Sequence, residues 1–248
     1  LWCLTTSVAD QVVTAVDMGD LEAAEQHYQR GWRVVEEQGA ERWGNICRLT
    51  LERALVLWER GELDRAEAQL TLAEVQLEGW EKPDNLSDLQ VIRTKVLLST
   101  GDLTGATAAM EQANRIQREA RIGQIVGISR LRRELTEVDS WLALGDLDAA
   151  GTWAEAVVES GYIYFQEAES LHKARVRLAQ GRIDEALFEV EPRLDAAREG
   201  RRVRMSMAMQ ATQAVALRAL GRTEEALDSL GEAMVLAAPR GFVQLFLE

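Results

Sequence analysis

The chain has 248 residues, of which 47% are hydrophobic, and its 41 acidic side chains outnumber its 28 basic ones to give a formal net charge of −13. Phosphate backbones repel a surface this negative, so we expect no direct nucleic-acid binding by this segment. No apolar run reaches the roughly eighteen residues that cross a bilayer. Two cysteines without a secretion signal form no disulfide framework. The composition therefore favours a cytoplasmic segment that binds neither DNA nor membranes.

One phrase recurs along the chain: a glycine, a polar residue, an apolar residue, two variable positions and an alanine. The steps between successive glycines are 42, 40, 44, 36 and 40 residues. A fixed period in this range is typical of stacked helical repeats. The repeats are centred on Gly19, Gly61, Gly101, Gly145, Gly181 and Gly221.

Each copy of the phrase predicts the turn of a helical hairpin. The glycine ends the first helix because it adopts a positive φ without a Cβ clash. In four copies an Asp or Glu follows, where a new helix exposes unpaired N–H groups. The small alanine five residues after the glycine lets the second helix pack closely against the first. The pattern predicts first helices at 5–18, 43–60, 86–100, 129–144, 165–180 and 203–220, and second helices at 21–38, 63–79, 103–121, 147–160, 183–199 and 223–237.

Proline marks some of the connections between hairpins, as at Pro83–Asn85 and Pro239, whereas Pro192 falls inside a predicted helix and is expected to kink it. A lone hairpin cannot bury its apolar face, but six stacked hairpins share one continuous core. The sequence therefore predicts an all-α fold, with a single helical-repeat domain over residues 1–248. Because the chain begins with Leu1 rather than Met, we also expect it to be part of a larger multidomain protein.

The repeated glycine and alanines resemble the tetratricopeptide repeat, although the period exceeds that family's usual length of about 34 residues. Residues 174–187, 219–227 and 239–247 are similar to the repeat region of large LuxR-type, MalT-like bacterial transcriptional regulators. The resemblance implies a right-handed α-solenoid between an N-terminal nucleotide-binding module and a C-terminal helix-turn-helix. It also implies a role in sensing an inducer, in protein interaction and in self-association.

The tetratricopeptide correspondence implies that the first helices line a concave face, with groove-facing positions about two, six, nine and thirteen residues before each glycine. Their mixed charge suits a polar small molecule or a peptide. The position eight before each glycine is polar as well. This leaves two alternatives open: the helices are rotated relative to that family, or these residues form ladders between repeats. The candidate ligand-binding or partner-binding residues are Arg48, Glu52, Glu59, Lys95, Arg132, Asp139, His172 and Arg175.

Residues that would support catalysis or hold a cofactor are scarce. The chain has neither a phosphate-binding loop nor a dinucleotide-binding motif. Glu169 and His172 have the spacing of a di-iron ligand pair, but the second pair that such a site needs is missing. We therefore expect no enzymatic activity, no metal and no cofactor in this segment, and we interpret His172 as a helix-surface residue.

Two further groups of side chains are interpreted as structural. The basic patches around Arg132 and Arg202 are expected to be solvated turns between repeats. Because alternate residues cannot share one helical face, at least one of Met205, Met207 and Met209 is expected to be partly exposed.

Two functions are compatible with these features. The first is the sensor and interaction module of a LuxR-type, MalT-like transcriptional regulator, which binds an inducer or partner on its concave face. The alternative is a stand-alone tetratricopeptide-like scaffold that binds a peptide or a partner protein. The two differ in the modules expected on either side of this segment.

Overall fold

The computed structural model describes residues 2–80, 82–121, 124, 127–157 and 161–247. Over these residues the chain forms twelve α-helices and no β-strand, which confirms the all-α prediction. The helices are α1 Trp2–Asp17, α2 Leu21–Glu37, α3 Cys47–Glu59, α4 Leu63–Leu77, α5 Pro83–Thr100, α6 Leu103–Glu119, α7 Gly127–Leu144, α8 Leu147–Ala156, α9 Ile163–Ala179, α10 Ile183–Glu199, α11 Val203–Ala219 and α12 Thr223–Ala237.

Five first-helix starts differ from the sequence-based prediction by two to four residues, and those of α3 and α5 have local reasons. Helix α5 begins at Pro83 rather than at residue 86, because proline suits the first helical position, where its missing N–H has no partner to lose. Helix α3 begins at Cys47, after a 3₁₀ turn at Gly44–Ile46. Helix α10 continues past Pro192 to Glu199. Residues 158–160, where the predicted fourth second helix ends, lie outside the described residues.

The repeat glycines adopt the predicted conformation. All six have a positive φ, between 73° and 80°. In every repeat the N–H of the next residue donates to the carbonyl five residues back, over 2.8–3.0 Å, which closes the end of the first helix. Asp20, Asp102 and Asp146 then accept a hydrogen bond from the backbone three residues ahead, as N-caps do. Glu62 makes no such bond and pairs with Arg65 instead.

The repeat alanines lie in the interior of their hairpins, each at most 5% exposed. Their small side chains allow the second helix to approach the first, so the two helices of each hairpin pack closely against each other. Leu70 and Ala73 extend this buried face of α4, as Met110 and Ala113 do on α6. The repeat alanines are Ala24, Ala66, Ala106, Ala150, Ala186 and Ala226.

The expectation of an exposed methionine on α11 is wrong. Met205, Met207 and Met209 are all buried. Helix α11 packs against α9, α10 and α12, so neighbours cover more than one of its faces. Alternate residues can therefore all be interior, because buried positions occupy more than one face of this helix.

The contacts divide the chain into two compact units. The first comprises Leu1–Val16, Asp20–Thr136 and Phe242–Gln244, and the second comprises Asp17–Gly19, Glu137–Gly241 and Leu245–Glu248. In the first unit, α3, α4 and α5 enclose a core around Trp58 and Leu70. In the second unit, α10, α11 and α12 share a core around Leu187 and Leu217. A single domain and a right-handed stack remain predictions.

Candidate functional site

The first helices of the first unit bring three charged side chains together. Glu52 lies on α3, Asp88 on α5 and Arg132 on α7, so residues up to 80 positions apart in sequence meet. Arg132 donates to both oxygens of Glu52, with nitrogen–oxygen distances of 3.2 to 3.4 Å, and its Nη1 lies 3.7 Å from Asp88 Oδ2. The Ser129 hydroxyl donates to the same Asp88 oxygen over 2.9 Å. We call Glu52, Asp88, Arg132 and Ser129 the first-unit polar cluster.

This cluster contains one more carboxylate than guanidinium, and it is buried. The pKa of Asp88 is raised to about 6: burial is the largest cause and the Glu52 carboxylate adds to it, while Arg132 and the Ser129 hydroxyl act in the opposite direction. Asp88 Oδ1 is buried and accepts no hydrogen bond from the described residues. The cluster therefore keeps an unused acceptor and a carboxyl group that titrates close to neutrality.

Two members of this cluster, Glu52 and Arg132, are among the predicted binding residues, whereas Asp88 is not. The signal was present, because Asp88 lies thirteen residues before Gly101, at the offset that also selected Arg132. The interpretation of Arg132 as part of a solvated turn is wrong. Its guanidinium is mostly buried because it pairs with carboxylates on two other helices.

The other predicted residues of the first unit do not join the cluster. Arg48 pairs at the surface with Asp10 of α1, over 2.5 Å. Lys95 lies over the Trp58 ring, with its Nζ 4.6 Å from the ring centroid, in a cation–π contact. Glu59 is buried, and its backbone carbonyl accepts a hydrogen bond from the Val243 N–H over 2.8 Å.

The second unit brings together the remaining three predicted residues. Asp139 of α7 lies 3.3 Å from His172 Nε2 and 3.7 Å from Arg175 Nη1, both on α9. His172 is buried, so its interpretation as a helix-surface residue is wrong. Its Nδ1 lies 2.8 Å from the Ala168 carbonyl, so both imidazole nitrogens face acceptor oxygens.

A second buried ion pair of this unit had no signal in the sequence analysis. Glu167 of α9 is fully buried, and Arg202 donates to both of its carboxylate oxygens over 2.5 and 2.6 Å. These hydrogen bonds raise the pKa of the Arg202 guanidinium, which remains charged. The interpretation of Arg202 as a solvated turn residue is therefore wrong. Its partner lies 35 residues away in the preceding repeat, beyond the reach of local patterns.

Two of the polar residues eight positions before the repeat glycines form contacts between repeats, as in the second of the two alternatives, whereas Gln213 accepts a hydrogen bond from Ser229 of its own hairpin. Arg53 of α3 pairs with Glu25 of α2 over 3.1 Å. Arg93 of α5 pairs with Glu67 and Glu74 of α4. Both arginines reach the second helix of the preceding hairpin, so they join neighbouring repeats.

Among the described residues, no group of three or more His, Cys, Asp or Glu side chains is arranged to hold a metal ion. No helix within the described ranges is long and apolar enough to cross a membrane.

Helical hairpins with a positive-φ glycine at the turn and a buried alanine on the second helix define a tetratricopeptide-like helical-repeat protein. The family model described as the MalT-like TPR region matches residues 3–248, so the chain belongs to that family.

Several HTH-type transcriptional regulators named MalT are similar to the chain. Those of Yersinia pestis (strain Pestoides F) and Yersinia pseudotuberculosis serotype O:3 (strain YPIII) are each 26% identical over 255 residues. That of Serratia proteamaculans (strain 568) is 26% identical over 258 residues. The match covers 100% of this chain but only 27% of each relative. The chain therefore spans about a quarter of the length of these regulators.

Proposed function

We propose that this chain is the ligand-sensing and protein-interaction module of a LuxR-type, MalT-like transcriptional regulator. An inducer or partner binds along the first helices, and the parent protein self-associates and binds DNA through other segments. The observation that supports the proposal is the first-unit polar cluster, where Glu52, Asp88 and Arg132 from three successive first helices meet. The family match over residues 3–248 supports the regulatory context.

The chemistry of this cluster suits binding better than it suits stability. Well-packed apolar residues often stabilise a fold as well as a buried ion pair does, because desolvating charges is costly. The unused Asp88 Oδ1 acceptor fits a ligand that brings hydrogen-bond donors. Because Glu52, Asp88 and Arg132 lie on different helices, such a ligand would favour one arrangement of the hairpins. A regulatory switch requires this kind of differential binding.

The same proposal assigns the segment a non-catalytic role in the cytoplasm, without a metal or cofactor of its own. In the sequence no nucleophile has a paired base, and no phosphate-binding loop is present. Nucleotide binding would belong to another module of the parent protein.

The coding sequence on either side of this chain tests the regulatory context directly. A phosphate-binding loop a few hundred residues upstream and a helix-turn-helix downstream are the expected result. Stop codons close to both ends would contradict the proposal and leave a stand-alone scaffold.

Binding at the polar cluster is tested by thermal unfolding of the purified chain with a panel of neutral sugars, amino acids and polyamines. A compound that binds the cluster should raise the melting temperature of the wild-type chain, because it stabilises the folded state. The shift should disappear in Arg132→Gln and persist in Arg130→Gln, a matched change at an exposed arginine two residues away. Each variant is compared with its own ligand-free melting temperature. A compound that shifts both variants equally binds elsewhere and contradicts this location.

A further inference from the structure

The outer face of α12, the second helix of the sixth repeat, presents apolar side chains to solvent. Leu227 is 63% exposed and Met234 is 54% exposed. They are seven residues apart and therefore lie on the same face of the helix, with Gly231 between them. A Cβ added at Gly231 would meet no other described atom within 4 Å. We call Leu227, Gly231 and Met234 the α12 seam.

In other repeats the same positions contact the first helix of the following hairpin. Leu227 lies six residues after its repeat glycine and Met234 thirteen residues after it. Four of the six equivalent residues in the first three repeats use polar contacts to reach the next first helix. These contacts are Arg53–Glu25, Arg93–Glu67, Arg93–Glu74 and Arg133–Asn114.

The fifth repeat uses apolar residues at these positions, as the sixth does. Leu187 and Leu194 of α10 are only 6% and 2% exposed. Leu187 packs in one cluster with Ala216 and Leu217 of α11, the helix that covers this side of α10. The α12 seam thus repeats the surface that α10 presents to α11. A helix face that meets only water is expected to be polar, and this face of α12 is apolar.

An acidic edge runs beside the α12 seam. Glu224, Asp228 and Glu232 follow one another at intervals of four residues, so they form one row along the helix. Glu232 pairs with Arg198 over 2.7 Å. Glu224 and Asp228 are exposed, and neither forms an ion pair within the part of the chain that the structure describes. This edge repels a second copy of the same helix and attracts a basic one.

We propose that the α12 seam binds a basic amphipathic helix of a partner protein, which lies across α12 as α11 lies across α10. Leu227 and Met234 supply the apolar contacts, and Gly231 lets the partner backbone approach closely. Glu224 and Asp228 pair with basic residues beside the apolar stripe of the partner. This surface is separate from the first-unit polar cluster, so the proposal does not depend on the proposed function.

The test uses a fluorescein-labelled peptide with the sequence of residues 203–219, the helix that covers α10. This peptide contains two arginines and no acidic residue. Fluorescence anisotropy with the full chain should show saturable binding with a Kd on the order of 10–100 µM, as for a short helix that must order when it binds. Binding should weaken as salt rises, because the acidic edge contributes by long-range attraction.

Two variants and one matched control locate the peptide. Leu227→Ser with Met234→Ser should raise the Kd at least about tenfold, and Glu224→Gln with Asp228→Gln should raise it severalfold at low salt. Phe188→Ser, at an apolar side chain of α10 that is more exposed than Leu227, should leave the Kd unchanged. All of these side chains are exposed, so circular dichroism should show wild-type helix content.

Three results would overturn the proposal. The first is the absence of saturable binding to the wild-type chain at peptide concentrations up to about 1 mM. The second is undiminished binding to the Leu227→Ser, Met234→Ser variant, which would place the peptide elsewhere, including in exchange with α11. The third is a wild-type dimer in sedimentation that becomes a monomer in that variant, which would assign the face to a second copy.

Discussion

The two units differ in the contacts that join neighbouring hairpins and in the charge balance of their buried ion pairs. In the first unit, neighbouring hairpins are joined by ion pairs at partly exposed edges, such as Arg93 with Glu67. Its buried polar cluster also has two carboxylates for a single guanidinium. In the second unit, the α10–α11 contact is apolar, and the buried pair of Glu167 with Arg202 is matched one to one. A matched pair fixes a structure, whereas an unmatched carboxylate leaves a charge that a proton or a ligand can change.

The largest expected effect follows the loss of the matched pair. Arg202→Met leaves the fully buried Glu167 carboxylate without its counter-charge, which should lower the free energy of unfolding by about 3–5 kcal/mol. Urea denaturation followed by circular dichroism measures the change. Arg198→Gln, which removes only exposed ion pairs with Glu232 and Asp195, should cost at most about 1 kcal/mol. Equal losses in the free energy of unfolding in both variants would show that the buried pair contributes no more stability than the exposed ones.

The unmatched carboxylate should make the first unit sensitive to pH. The pKa of Asp88 is raised from its ordinary value of 3.8 to about 6 in the folded chain, so the folded state holds a proton that the unfolded state releases. The stability contributed by Asp88 is therefore present at low pH, falls as pH rises from about 4 to about 6, and is constant above that.

In the wild-type chain, Asp88 should lower the free energy of unfolding by on the order of 2 kcal/mol between pH 4.5 and pH 6.5. Asp88→Asn should remove this dependence. The measurement is the free energy of unfolding at the two pH values, with the exposed Asp64→Asn as the matched control. If the wild-type chain and Asp88→Asn had the same pH slope, the raised pKa would be contradicted.

The smallest effect is expected at the edge ion pairs of the first unit. Arg93→Gln should lower the free energy of unfolding by about 0.2–1 kcal/mol, because the two glutamates that it pairs with are partly solvated. The loss should shrink in 1 M salt, which screens exposed charges over about 3 Å. Arg115→Gln, at an exposed arginine of α6, should change little at either salt concentration. A loss that does not respond to salt would mean that Arg93 contributes by packing.

The sequence analysis predicted most of the hairpins because each depends on contacts within one repeat. Gly101, Asp102 and Ala106 lie within six residues of one another, and they determine the turn, the N-cap and the closest approach of α5 and α6. Helix starts that depend on a local 3₁₀ turn, such as that of α3, were missed. The incorrect interpretations of Arg132, Arg202 and His172 as solvent-exposed share one cause. Each side chain is mostly buried by a partner on another helix, which the local sequence pattern does not reveal.

The candidate site was predictable in part. The periodic offset from the repeat glycines selected Glu52, Arg132 and Asp139, and in the structure each of these residues contacts a residue on another first helix. The offset did not show which of the selected residues contact one another. Glu52 and Arg132 are 80 residues apart, and Lys95, selected in the same way, contacts Trp58 rather than the cluster.

The sequence by itself determined the repeat, its helices and the family, because a glycine at positive φ and an alanine at a close contact act within one turn of the chain. The tertiary structure decided which charges are buried together and which apolar face remains open. Those outcomes depend on the stacking of one hairpin on the next, where partners 35 to 80 residues apart meet. Burial then sets the electrostatics, since a carboxylate such as Asp88 has an ordinary pKa in water and a raised one in the interior.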